Sequence, residues 1–419
     1  MGVALSRTMG VLAERNGVWD TCLQVLLGVF SLGLLAHRRR GGRHVPSWLA
    51  RYAETVLPGR VRRFGSLMLR APLAARLLPR AARGLAGLVP PSAAARQTVV
   101  EQGPDVVAVL PDDDAVAAVE SVGTQADLVG AAESLGIPVI VAAGASELRA
   151  QPLAMSRARV MCVWSDEQRR VAVDLGVPSN RIVVTGALPL DRALLEEPLV
   201  DEQTFREMLG LPPDRPFVFF VGSSGMMSEP AEEVELIRDW VRSLRTSADP
   251  VLRQLAVLIR PSPIGISRWR DVDGDIGGGV VLCPRSFERS GELDAVLLAE
   301  SVRFAALTIG ADPLTLLMAA GLGRPAALVL PPRFAKQGNA IPLDYLSRTE
   351  GSSVRFTSTL AELSAYARQV VNGAHPSSSD QFRRAHLQPR PDVAPAVAVA
   401  DCIEHMVTEK RRSRNTITA

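Results

Sequence analysis

The sequence predicts an α/β protein in which a parallel sheet is built twice in succession. Three observations carry this. The stretch Val160–Asp191, VMCVWSDEQRRVAVDLGVPSNRIVVTGALPLD, reads as strand, helix, strand and a loop with a fixed end. After Val89-Pro90-Pro91 the alternation of β-branched runs and helices becomes regular, as parallel strands with right-handed crossovers require. The run LGLPPDRPFVFFVGSS then opens a second domain. At 419 residues, 47% of them hydrophobic, the chain has core enough for two or three domains.

In the first half, Asp105–Leu110 is a buried strand ending in the acidic loop Pro111–Asp114. Gln125–Leu135 is a helix, and Val139–Ala143 is the strand after Gly136-Ile137-Pro138. Val160–Trp164 is too short and too β-branched for a helix. Ser165, Asp166 and Glu167 write a helix N-terminus, Gln168–Leu175 carries the helix, Gly176 suits a left-handed C-cap, and Pro178 prevents continuation. Arg181–Thr185 is a second buried strand, and Gly186–Pro189 opens the loop that delivers Asp191.

A helix at Thr204–Leu209 leads to the second half. There Phe217–Val221 is a strand with a small-residue turn, Gly222-Ser223-Ser224, behind it. Helix Glu232–Arg245 places Val234, Ile237, Trp240, Val241 and Leu244 on one face at 3.6-residue spacing. Strands follow at Leu255–Ile259, Val280–Leu282, Ala305–Ile309 and Ala326–Leu330, and helices at Asp294–Ser301, Leu314–Gly321 and Leu360–Val371. A helix near Val393–Val407 and a frayed basic tail, Lys410–Arg414, end the chain. The predicted domains are 1–90 (helical, on or part of the first domain), 91–195, a linker 196–215, 216–390, and a C-terminal helix and tail 391–419.

Composition narrows the chemistry. Lys336 and Lys410 are the only lysines, and neither sits in a motif suited to Schiff-base or P-loop chemistry. Cys22, Cys162, Cys283 and Cys402 have no paired spacing and the five histidines are dispersed, so no protein metal site is expected. Scattered cysteines fit a reducing cytoplasmic setting.

The net charge of +3 hides an asymmetry: Arg38–Arg83 holds twelve Arg and one acid, Glu54, so that segment carries +11 and the remainder −8. Just before it, Leu23–Ala36 is apolar but shorter than the roughly 20 residues of a bilayer span. It reads as a buried element of the first domain, as a membrane anchor with Arg38-Arg39-Arg40 cytoplasmic, or as a signal sequence. The Arg-bearing amphipathic pattern from Trp48 to Leu88 suits an anionic membrane surface or a plain solvated face. Nucleic acid is not an expected partner, since aromatics for base stacking are few. The expected location is the cytoplasm, peripheral to the inner face of the plasma membrane.

Val163-Trp164, Gln168-Arg169, Gly176-Val177-Pro178, Arg181-Ile182 and Val184-Thr185-Gly186…Asp191 together resemble the hinge-side end of the N-terminal domain in GT-B type glycosyltransferases. The likeness is to a bacterial group that builds surface and capsular polysaccharide, and it covers roughly residues 97–405. It implies two Rossmann-like domains facing across a cleft, with an extra Arg-rich helical region at the N-terminus. It implies transfer of a sugar, or a polyol phosphate, from a nucleotide-activated donor to a surface-glycan or lipid-linked acceptor. No cofactor and no metal is implied.

The donor and its phosphates are assigned to Gly222, Ser223, Ser224, Arg260, Ser262, Gly310, Ala311, Asp312, Gln337, Gly338 and Asn339. Small residues admit a phosphate to backbone N–H groups, and Arg260 can bind a diphosphate bidentately. Asp312 before Pro313 has a competing role as a helix cap. The acceptor-side candidates for catalysis are Asp112, Asp113 and Glu147, whose competing reading is as solvated loop acids.

The chain departs from the group where Arg-Pro-His-Pro becomes Arg260-Pro261-Ser262-Pro263, where the Ser and Glu of the donor helix become Leu314 and Met318, and in the loop after Ala143. Two alternatives therefore stand beside transfer: an impaired homologue serving as a scaffold in glycan assembly, and a sugar-nucleotide epimerase.

Overall fold

The structure, a computed structural model, describes residues 90–110, 127–144, 157–174, 177–222, 230–261, 269, 278–283, 291–329, 353–374 and 379–418. The expectations for 1–89, for Gly176 and for the loops at 111–126, 145–156, 223–229, 262–268 and 330–352 lie outside these.

The first sheet holds β1 (Val107–Val109), β2 (Val139–Ala142), β3 (Val160–Val163) and β4 (Ile182–Val184), side by side in chain order and all parallel. Helix α1 (Ala93–Gln102) precedes it, capped by Ser92 and closed by left-handed Gly103. Its buried Ala95 and Val99 pack on α2 (127–134). Helix α3 (Asp166–Asp174) connects β3 to β4 and carries Asp166 and Glu167 in its first turn, where the helix dipole favours them. After β4 come α4 (Asp191–Leu195) and α5 (Glu202–Leu209), whose N-cap is Asp201.

The second sheet comprises β5 (Phe217–Val221), β6 (Ala256–Arg260), β7 (Val280–Leu282), β8 (Leu307–Gly310), β9 (Ala326–Val329) and β10 (Val354–Thr357), in the order β10-β9-β8-β5-β6-β7. Its pairings are parallel throughout. The edge strand β10 and helix α1 were not foreseen from sequence. The connecting helices are α6 (Pro230–Arg245), α7 (Pro250–Gln254), α8 (Gly291–Phe304), α9 (Pro313–Gly321) and α10 (Leu360–Val371).

Strand periodicity divides the core. Phe217, Phe219 and Val221 enter one apolar cluster while Val218 and Phe220 enter another, because successive side chains leave opposite faces. On the second face lie Ile237, Trp240, Val241 and Leu244 of α6 with Leu363, Ala367 and Val370 of α10. The Trp240 indole N–H reaches the Ser364 hydroxyl at 3.1 Å. The first cluster is continuous between the two sheets: Met161, Val163 and Ile182 join Phe217, Leu258 and Leu328 through Leu190, Leu194 and Phe205.

Helix α11 (Ser379–Phe382) runs into a π-helical turn, Arg383–Leu387, which returns the chain to the first sheet. Helix α12 (Pro395–Thr418) then lies on that sheet, with Val399 and Met406 packed against Ile140, Ala142 and Cys162. The basic segment Lys410–Arg414, expected as a frayed tail, is assigned to this helix. The helix continues to Thr418, Lys410 Nζ donates to the Asp105 carbonyl at 3.1 Å, and Arg411 pairs with the Asp105 carboxylate at 2.9 Å. Among the described residues no helix is long and apolar enough to cross a membrane.

Candidate functional site

In an open parallel sheet, ligands bind outside the carboxyl ends of the strands, where the strand order reverses. Here the chain moves outward from β5 to β6 and β7, then restarts at β8 on the other side of β5 and moves outward to β9 and β10. The reversal therefore falls between β5 and β8. Register places Val221 opposite both Arg260 and Gly310, so Gly222, Arg260 and the turn Gly310–Asp312 converge on one edge. Three segments separated by up to 90 residues in sequence are brought together at the reversal.

Their local roles are specific. Gly310 has φ +151, and a Cβ there would lie 2.2 Å from the Val221 carbonyl oxygen, so glycine is imposed by the approach of two strands. The Gly222 N–H donates to the Arg260 carbonyl at 2.8 Å and is committed to the sheet. Arg260 itself is half-buried and ends β6.

Asp312 is the N-cap of α9: its carboxylate accepts from the Thr315 N–H at 2.9 Å and from the Thr315 hydroxyl. Pro313 has no N–H to offer. In the first turn that leaves the Leu314 N–H outside both the cap and the helix ladder, beside an existing carboxylate. Helix N-termini hold phosphate through free N–H groups and the dipole, and this one is largely occupied. Ala311 and Met318 are 8% and 5% exposed and belong to the core.

On the first sheet, the carboxyl edge is built around two residues of the hinge-side motif. The Trp164 indole N–H donates to the Ala143 carbonyl at 2.6 Å. The Gln168 side chain accepts from the Trp164 N–H at 2.8 Å and donates to the Gly144 carbonyl at 3.2 Å. Together they anchor the start of the loop that carries Glu147. Asp112, Asp113, Glu147, Ser223, Ser224, Ser262, Gln337, Gly338 and Asn339 lie outside the described residues. The bridging role of Gln168 was not read from sequence, since a polar residue in a first helical turn looks like ordinary solvated surface.

The passage between the sheets is also specific. Gly186 has φ +102, and a Cβ there would meet Pro395 Cγ at 2.7 Å and the Leu387 carbonyl at 2.9 Å. The Ala187 N–H donates to that same carbonyl at 2.7 Å. The Asp191 carboxylate accepts from the Ala396 N–H at 2.9 Å, in the first turn of α12. Burial pushes the Asp191 carboxyl upward, and the Ala396 hydrogen bond opposes this. Buried Glu300 accepts from the Leu199 N–H at 3.0 Å, and Arg303 donates to the Ala193 carbonyl at 2.6 Å and to that of Glu196. Both crossings of the chain are thus clamped. His386, in the π-helical turn, lies with its ring 5.0 Å from that of Phe382, and burial lowers its pKa.

No family model matches the chain, and no curated protein matches it in sequence. Solved structures do match. A candidate UDP-N-acetylglucosamine 2-epimerase from Listeria monocytogenes superposes with a TM-score of 0.53 at 14% identity, over 78% of this chain and 79% of that one. The UDP-GlcNAc 2-epimerase of Neisseria meningitidis, solved bound to UDP-GlcNAc, gives 0.51 at 12%, over 74% and 79%. MnaA of S. aureus, solved with UDP, gives 0.51 at 14%, over 80% of each chain. Likeness at this identity establishes the fold. The chain is an α/β protein with two parallel sheets of four and six strands, GT-B-like.

Proposed function

We propose that this chain binds a nucleotide-activated sugar at the carboxyl edge of the second sheet and transfers the sugar, or a polyol phosphate, to a surface-glycan or lipid-linked acceptor. The observation that carries this is the convergence of Gly222, Arg260 and Gly310–Asp312 at the reversal of strand order. Arg260 is the residue there suited to a diphosphate, since a guanidinium presents parallel donors to phosphate oxygens. Ser262 and the segment Gln337–Asn339 complete the proposed donor contacts. Asp112, Asp113 and Glu147 are the proposed acceptor-activating acids. UDP-GlcNAc as donor and UDP as its leaving nucleotide, each bound in a structure of the same fold, are the ligands to test first.

A second reading, a binding or scaffold role in glycan assembly, is favoured by one observation. The α9 terminus that would cradle a phosphate is filled by its own Asp312 cap. Calorimetry with UDP, GDP, CDP and their sugars separates the readings. Arg260→Ala should weaken binding by roughly 10- to 100-fold, the loss of charge-assisted hydrogen bonds of about 1.5–3 kcal/mol. Binding together with acceptor-dependent release of nucleotide supports transfer. Binding without turnover supports the scaffold, and epimerised sugar nucleotide in the absence of acceptor supports an epimerase. No binding of any nucleotide by the wild type sinks the donor site.

A further inference from the structure

Two cysteines meet where α12 lies on the first sheet. Cys162 is in β3, registered between Ala142 of β2 and Val183 of β4, and is buried. Cys402 belongs to the stripe Val399, Cys402, Ile403 and Met406, whose spacing of three and four residues faces one side of α12 toward Ile140, Ala142 and Cys162. Both thiols belong to that one cluster, near enough for each to shift the titration of the other.

We propose that Cys402 and Cys162 form an oxidation site, in which a peroxide oxidises Cys402 and Cys162 resolves it to a disulfide stapling α12 to β3.

The pair is asymmetric in the way such a site needs. Cys402 is half-buried, within reach of a small oxidant. The neighbouring Cys162 thiol draws its pKa down against burial, with the Arg390 guanidinium assisting. Cys162 is pushed up, first by the neighbouring Cys402 thiol and then by burial, so it waits as the protonated partner. A low-pKa, accessible thiol beside a resolving cysteine is the arrangement of redox-sensing cysteines.

In the first step the Cys402 thiolate attacks a peroxide oxygen. An S–O bond forms as the O–O bond breaks, and the departing hydroxide takes up a proton as water. Cys162 then attacks the Cys402 sulfur: an S–S bond forms, and the sulfenic hydroxyl leaves with the Cys162 proton as a second water. The thiols lose two electrons and the peroxide gains them. Closing the staple brings the two sulfurs to a disulfide bond of roughly 2.05 Å. In a reducing compartment the staple is reversible, so the pair responds to oxidant rather than building permanent structure.

The test uses the full chain. Wild-type protein is exposed to dilute hydrogen peroxide, quenched, denatured, alkylated with iodoacetamide and mapped by mass spectrometry without reduction. The expected result is loss of two hydrogens, a peptide pair joining Cys162 to Cys402, and reversal by dithiothreitol. Cys162→Ser should leave Cys402 as a sulfenic acid that dimedone captures. The proposal is overturned if Cys402 oxidises no faster than buried Cys283, if it pairs with Cys22 instead, or if Cys162→Ser yields no dimedone adduct on Cys402 although the protein folds. The wild-type map decides the pairing even if the variant misfolds.

Discussion

At Gly310 a side chain is excluded by geometry before any ligand is considered. Its Cβ would sit 2.2 Å from the carbonyl oxygen of Val221, on backbone at φ +151. Gly310→Ala should therefore cost at least about 2 kcal/mol, combining backbone strain with overpacking. Gly136, at φ +67 with open space for 4 Å around an added methyl, is the comparator: Gly136→Ala should cost about 1 kcal/mol, the left-handed penalty alone. Urea titration of both variants reads the difference, and equal midpoints would remove the close-packing account of Gly310.

The hinge-side motif is explained at the same scale. Gly186 and Asp191 admit and cap the returning C-terminal segment, while Gln168 joins Trp164 to Gly144. None of these roles requires a ligand. Gln168→Ala should destabilise the protein by about 1–3 kcal/mol, since it leaves one partly buried donor and one acceptor without this side chain. A thermal melt unchanged from wild type would show that the bridge does not support the edge.

Among elements, α12 has the most at stake. It comes last in the chain yet covers the first sheet, so its apolar stripe is core and its other face is not. Met406 is 2% exposed against that sheet while Val397 is 51% exposed. Met406→Ala should cost about 2–5 kcal/mol through lost burial and a residual cavity, whereas Val397→Ala should stay within about 0.5 kcal/mol. Chemical denaturation measures both. Comparable losses would mean the helix does not sit as described. Helix α9 teaches the complementary lesson. It follows the strand end where a phosphate is expected, but Asp312 and Pro313 have made it a self-capped core helix.

Across the whole molecule, two sheets share one continuous apolar cluster, and the chain passes between them twice. The charge is divided as well: +11 lies in Arg38–Arg83 and −8 in the remainder. Each Arg near an anionic lipid surface contributes about 1 kcal/mol. Full-length protein should therefore sediment with phosphatidylserine vesicles at low salt, much less at high salt, and not with neutral vesicles. Equal sedimentation by protein lacking residues 1–90 would assign any binding to another surface.

The sequence by itself determined the alternation of elements and their approximate ends. Leu360–Val371 and Val280–Leu282 were placed to the residue, because hydrophobic period, caps and prolines are local signals. Edge strand β10 escaped because VRFT alternates apolar and polar residues over only four positions, too few to establish a period. Asp312 as a cap was legible, since Asp before Pro is a local pattern. That Gly310 is required by Val221, that the Gly222 N–H is spent on Arg260, and that Gly186 and Asp191 receive a segment some 200 residues later were decided by tertiary structure alone. The same holds for Cys162 and Cys402, which nothing in their spacing joins. Local signals report what a residue does to its own backbone. Which distant strand or helix arrives beside it depends on sheet order and on the path of the returning chain, and those exist only once the core has closed.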